Sequence, residues 1–88
     1  MFEWDKKKSD ANLSKHGMSF LEAKALWDDP FSVEFPAKNL DEPRFLLIGK
    51  IKGIHWSAIY TYRKKAIRII SVRRSRKREI EIYEKSES

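Results

Sequence analysis

The chain contains no cysteine, so it can form neither a disulfide nor a thiolate zinc site. It has no long apolar run and no signal-peptide pattern, which makes the cytoplasm, away from any membrane, the expected compartment. It has no internal repeat and no linker-like stretch, so its 88 residues are expected to form a single domain, 1–88. Clustered carboxylates are also missing. Asp28-Asp29 and Asp41-Glu42 fall in separate loops, which argues against a metal-dependent nuclease and leaves no metal or cofactor to expect. Ser71 has no histidine and acid in a triad-like context, so it does not read as a nucleophile.

Acidic residues are absent from one stretch in particular. Between Arg63 and Arg78, nine of sixteen residues are basic and none is acidic. Residues 1–44 carry a net charge of −2 and residues 45–88 a net charge of +8, so the cationic character belongs wholly to the second half. Such a run points to an oligoanion, nucleic acid first. The plainer alternative is a solvated, solubilising face. Three Trp, five Phe and three Tyr supply the apolar bulk for a small core. A domain this small buries only roughly 60% of its unfolded surface and gains from a partner that covers an apolar edge.

The local pattern predicts an α+β fold. Phe2-Glu3-Trp4 alternates as a short strand, and Asp5 stands where an N-cap belongs. A solvent-facing helix follows, ending in Lys15 and His16 with Gly17 as its stop. Ser19-Phe20-Leu21-Glu22 is a capping box that predicts a second helix, with Phe20, Ala23 and Trp27 on one stripe. Asp28-Asp29-Pro30 ends it. Phe31, Val33 and Phe35 alternate as a strand that Pro36 closes or marks as an edge, and 37–43 reads as a polar loop. An antiparallel meander comes next: Arg44 to Ile51, a Lys52-Gly53 turn, Ile54 to Arg63, a second turn, then Ile67 to Val72. The tail from Ser75 to Tyr83 predicts a short helix capped by Ser75, with Lys85 to Ser88 frayed. Arg76, Lys77 and Arg78 then fall in its first turn, where the helix dipole disfavours cations unless an anion binds there.

Several blocks, in order, resemble one family. Asn12-Leu13-Ser14-Lys15-His16-Gly17 followed by Ser19-Phe20, and Arg68-Ile69-Ile70-Ser71-Val72-Arg73-Arg74, are the most specific. Phe2-Glu3-Trp4-Asp5, Asp29-Pro30, Glu42-Pro43-Arg44, Ile48-Gly49 and Tyr60-Thr61 add to them. Together they are similar to the BrnT toxins over nearly the whole chain, with Val72 where that family usually has Ala. The resemblance implies a RelE-like fold, two N-terminal helices packed on a mostly antiparallel sheet. It also implies a ribonuclease that blocks translation. The implied partner is BrnA, a ribbon–helix–helix antitoxin whose complex with the toxin binds operator DNA.

Metal-free RNA cleavage needs a base for the 2′-hydroxyl, cations for the phosphorane and an acid for the leaving oxygen. Arg68, Arg73 and Arg74 suit the second role, with Arg44 next, because a guanidinium pairs with phosphate oxygens bidentately. On a straight strand Arg68 and Arg73 would face opposite sides. His16 can serve as acid or base, or simply cap its helix. The family motif at Lys15-His16-Gly17 favours the first role more than the residues alone do. Lys15 is a second base candidate if arginines lie close. Glu42 reads as a base or as the ion-pair partner that orients Arg44. Arg63 suits steering, whereas Arg76, Lys77 and Arg78 suit backbone phosphates or an antitoxin. Thr61, facing away from Tyr60 and Tyr62, is a phosphate donor chiefly by resemblance. His55 reads as a surface strand residue. A non-catalytic basic module that binds nucleic acid needs the same arginines, as does a protein that only binds an acidic partner.

Overall fold

The computed structural model describes residues 1–38 and 41–87. Asn39 and Leu40 of the predicted 37–43 loop, and Ser88 of the predicted frayed end, lie outside them. The strands are β1 (Phe2–Glu3), β2 (Val33–Ala37), β3 (Arg44–Ile51), β4 (Ile54–Arg63) and β5 (Ala66–Arg74). The helices are α1 (Lys6–His16), α2 (Phe20–Ala23) and α3 (Lys77–Glu87). One five-stranded sheet runs in the order β1-β5-β4-β3-β2, antiparallel except where β1 pairs in parallel with β5.

Local chemistry places the helices. Asp5 caps α1 by accepting from the Lys7 and Lys8 amides at 2.8 and 3.4 Å. Gly17 ends it at φ 81°, a left-handed conformation that suits glycine. α1 carries almost no apolar surface; only its Ser9 and Asn12 are buried. Those two polar groups dock it. Ser9 Oγ accepts from the Phe20 amide at 2.9 Å. Asn12 donates to the Met18 carbonyl at 2.8 Å and accepts from the Val72 amide at 3.1 Å. β1 is two residues long, so it pairs with only the start of β5. Asn12 satisfies the β5 main chain farther along.

The second helix is not the continuous one that the stripe predicts. The capping box forms, with Ser19 and Glu22 each holding the other's amide. After a single α-turn, however, the chain tightens to a 3-10 helix over Lys24–Asp28. The cause lies at its far end. Asp29 Oδ2 accepts from the Lys50 amide at 2.9 Å and from the Tyr83 hydroxyl at 2.7 Å, pulling the chain down onto β3. A 3-10 turn rises roughly 2.0 Å per residue against 1.5 Å in an α-helix, so the same residues reach farther. β3 meets this segment at Gly49, where an added Cβ would lie 2.9 Å from Leu26 Cδ2. The Asp29 carboxyl, pushed up by burial, is pulled further down by the Tyr83, Phe31 and Lys50 hydrogen bonds and ends below the usual carboxylate range.

Phe20, Ala23 and Leu26 pack with Leu47, Trp56, Ala58, Tyr60, Ile69 and Val72 in one buried cluster. Trp27 stands edge-on to both Phe2 and Tyr60, with 5.0 Å between centroids in each pair. α3 runs on to Glu87 instead of fraying after Glu84. It lies on the other side of the sheet. Tyr83, 2% exposed, anchors it there beside His55, whose Nε2 is 2.6 Å from Glu84 Oε2. His55 is therefore a helix-docking group, not a free surface residue. No helix among the described residues is long and apolar enough to cross a membrane.

Candidate nucleic-acid interface

Directly opposed residues on neighbouring strands share a face of the sheet. Ile59 pairs with Ser71, and Tyr60 with Ile69, so Ile70 is an extra residue in β5. This β-bulge changes the parity of the strand. Arg68 opposes Thr61 and Arg73 opposes Ser57, and both β4 residues face away from the core. Arg68 and Arg73 therefore share that face, against the expectation for a straight strand.

Three rows cross this face. The first is Val33–Ile48–Ser57–Arg73, and α3 lies over it. The second is Phe35–Leu46–Ile59–Ser71. The third holds Ala37 and Arg44 on one side and Thr61, Arg68 and Glu3 on the other. Thr61 ties the two halves of this third row together by donating to the Pro43 carbonyl at 2.6 Å. Its hydroxyl is spent on holding the backbone beside Arg44.

Three of the arginines carry a carboxylate. Arg73 holds Glu79 with two parallel bonds of 2.8 Å. The same carboxylate accepts from Ser57 Oγ at 2.9 Å and from the Arg76 amide at 2.8 Å. The Arg73 guanidinium, aided by the Arg76 amide and the Ser57 hydroxyl, outweighs burial and brings the Glu79 carboxyl down to about 2. The same hydrogen bonds raise the Arg73 pKa. Glu79 thus supplies the anion that the helix start demands. The cap is Arg76, not Ser75, whose hydroxyl bonds Ser57 at 2.8 Å instead. Arg68 donates a single 3.1 Å bond to Glu3, an open pair with side chains 30% and 39% exposed. Arg63 lies 3.6 Å from Glu42, so Glu42 pairs with Arg63 and not with Arg44. Arg44 has no such partner, and its Nε is buried without a hydrogen bond, the one such side-chain atom among the described residues.

The face thus gathers Arg44, Thr61, Arg63, Arg68 and Arg73, with Glu42 through Arg63. Arg76 joins them at a groove that it lines together with Arg73. Arg74 lies on the core side, its guanidinium 5.6 Å from the centre of the Trp56 ring. Lys77 is exposed at the start of α3, and Arg78 lines a separate depression along that helix. Lys15 and His16 end α1; among the described residues their side chains make no hydrogen bond or ion pair, to the arginines or to any other group. Glu3 and Glu79 belong to the blocks that resemble the family but carried no expected site role, and Ser57 carried none either. A carboxylate three residues after a helix cap is a known partner for the cap amide, and that signal marks Glu79. Glu3 pairs with Arg68 across 65 residues, with no local signal. Among the described residues, no three of His, Asp and Glu converge as ligands for a metal ion.

A small α+β domain with several guanidinium groups on one sheet face offers partners suited to the oxygens of a polyanion. Residues 4–79 match the family described as ribonuclease toxin, BrnT, of type II toxin–antitoxin systems, and the chain belongs to that family. Among curated proteins none matches the chain at a significant level.

Proposed function

We propose that this chain is a metal-independent endoribonuclease of RelE-like fold that arrests translation in the cytoplasm until a BrnA-type ribbon–helix–helix antitoxin covers it. Operator DNA is reached only through that complex. The observation that carries the reading is that Arg44 and Arg68 stand in one row of the face on either side of Thr61, with Arg44 Nε buried and unpartnered among the described residues. A scissile phosphate seated there gives Arg44 its missing acceptor and displaces Glu3 from its single bond to Arg68. The 2′-oxygen attacks phosphorus, the bond to the 5′-oxygen breaks as that oxygen takes a proton from a water molecule, and a 2′,3′-cyclic phosphate and a 5′-hydroxyl result. Arg44 and Arg68 stabilise the phosphorane charge. Arg73, locked by Glu79, positions the strand end, and Thr61 positions Arg44. Glu3, already in contact with Arg68, is the carboxylate best placed to take the 2′-proton. His16 and Lys15 are the other proton-transfer candidates and Glu42 a further one. Arg63, Arg74, Lys77 and Arg78 steer the RNA backbone.

Incubation of partner-free protein with total RNA in excess EDTA tests the reading. Cleavage should persist, and should drop roughly 100-fold or more for Arg68→Lys with the fold intact, because a lysine cannot reproduce the planar fork. No cleavage by clean wild-type protein would leave a non-catalytic nucleic-acid-binding module. Loss of cleavage only in EDTA would restore a metal mechanism.

A further inference from the structure

A groove of about 390 Å³ runs between the β2–β3 edge of the sheet and α3. Its floor and walls are apolar in the middle: Phe35 and Leu46 from the second row of the face, and Ile82 from α3. Its lining is also cationic, with Arg73 from the end of β5, Arg76 just before α3, and Lys38 after β2. Glu79 is the one acid among its lining residues, and Arg73 already neutralises it. The Arg76 guanidinium makes no hydrogen bond or ion pair among the described residues. An apolar slot with a net positive rim fits a flat, apolar-faced ligand that carries a negative charge.

Place in the sheet makes the choice narrower. Leu46 lies two residues from Arg44 on the same strand face, roughly 7 Å along β3. The slot therefore opens one step from the seat of the phosphate. We propose that this groove is a nucleobase subsite: the base of a nucleotide flanking the scissile phosphate lies against Phe35, Leu46 and Ile82, and Arg76 holds that nucleotide's own phosphate. A π-face stacks on Phe35 whatever the base, and the fixed Arg73–Glu79 pair gives the slot a polar wall for base edges. The inference rests on the ribonuclease reading for its place in the reaction, but binding at the groove can be measured without it.

The test is amide-resolved NMR titration of the partner-free chain with the four nucleoside monophosphates, and with inorganic phosphate as the control. Nucleotides should shift Phe35, Leu46 and Ile82, phosphate alone only the Arg76 region. Ile82→Trp fills the slot and should weaken nucleotide binding about tenfold or more, as should Ile82→Ala, which removes a wall without overpacking. In RNA cleavage, Ile82→Trp should flatten the base preference beside the cut, with the loss of rate largest at the base that the wild-type chain prefers. Binding in the groove by a wild-type chain that does not cleave RNA would keep the subsite and sink the ribonuclease reading. Cleavage with no shifts in the groove, and a base preference unmoved by either Ile82 variant, would overturn the subsite alone. Unchanged nucleotide binding with lost antitoxin binding in those variants would assign the groove to a protein partner and overturn it too.

Discussion

Replacing Glu79 by Gln should separate the role of that carboxylate in holding the fold from the chemistry of the face. Glu79 is only 14% exposed in its side chain and accepts from Arg73, Ser57 and the Arg76 amide. Its carboxyl falls from an ordinary 4.5 to about 2 on folding. At about 1.36 kcal/mol per pK unit, that difference corresponds to about 3 kcal/mol of stability. The sign follows from the direction. The folded value lies below the unfolded one, so the contribution is fully present above pH 4.5 and is lost as pH falls toward 2. Glu79→Gln keeps the shape but removes the charge, and should cost about 2–3 kcal/mol at pH 7. In a domain of this size that lowers Tm by about 10–20 °C. Urea unfolding of both proteins at pH 7, 4 and 3 checks this. The wild-type advantage should fall below half by pH 3. An advantage that stays constant across that range would show that the pair contributes by packing alone and refute the electrostatic account.

Asn12→Ala should cost about 2–4 kcal/mol by denaturant melt, since it leaves the Val72 amide and the Met18 carbonyl buried without partners. Gly49→Ala should destabilise by about 1–3 kcal/mol in thermal melts, because the new methyl meets Leu26 Cδ2 at 2.9 Å in a packed interior. Arg44→Lys should lose growth arrest in cells with a near-wild-type melt, whereas Arg73→Lys should lose stability as well, because it breaks the paired bonds to Glu79.

Local signals carried most of the fold. Asp5, Gly17 and the Ser19–Glu22 box act where their residue types say they should, and the alternation of β3 and β4 marks both strands to the residue. The hairpin turn at Lys52-Gly53 follows from two adjacent positive-φ positions, 50° and 80°. Long-range ties were not legible. The 3-10 segment exists because Asp29 is tethered to β3 and to Tyr83, and nothing in the Phe20–Trp27 stripe announces that pull. The face of the site depended on Ile70, an inserted residue indistinguishable by composition from its neighbours. The arginine run marked the strand that carries Arg68 and Arg73, but which arginines are ion-paired was decided by Glu3, Glu42 and Glu79 from elsewhere in the chain or fold.

The edges of the sheet have a consequence for solubility. One flank is closed by a two-residue strand and then by the Asn12 side chain, which answers the β5 main chain as another strand would. The other flank is β2, where Pro36 offers no amide and Glu34 adds charge. A second molecule seeking to extend the sheet meets a plug on one side and a gapped ladder on the other. The cationic face can therefore stay uncovered without inviting strand-on-strand stacking of toxin on toxin.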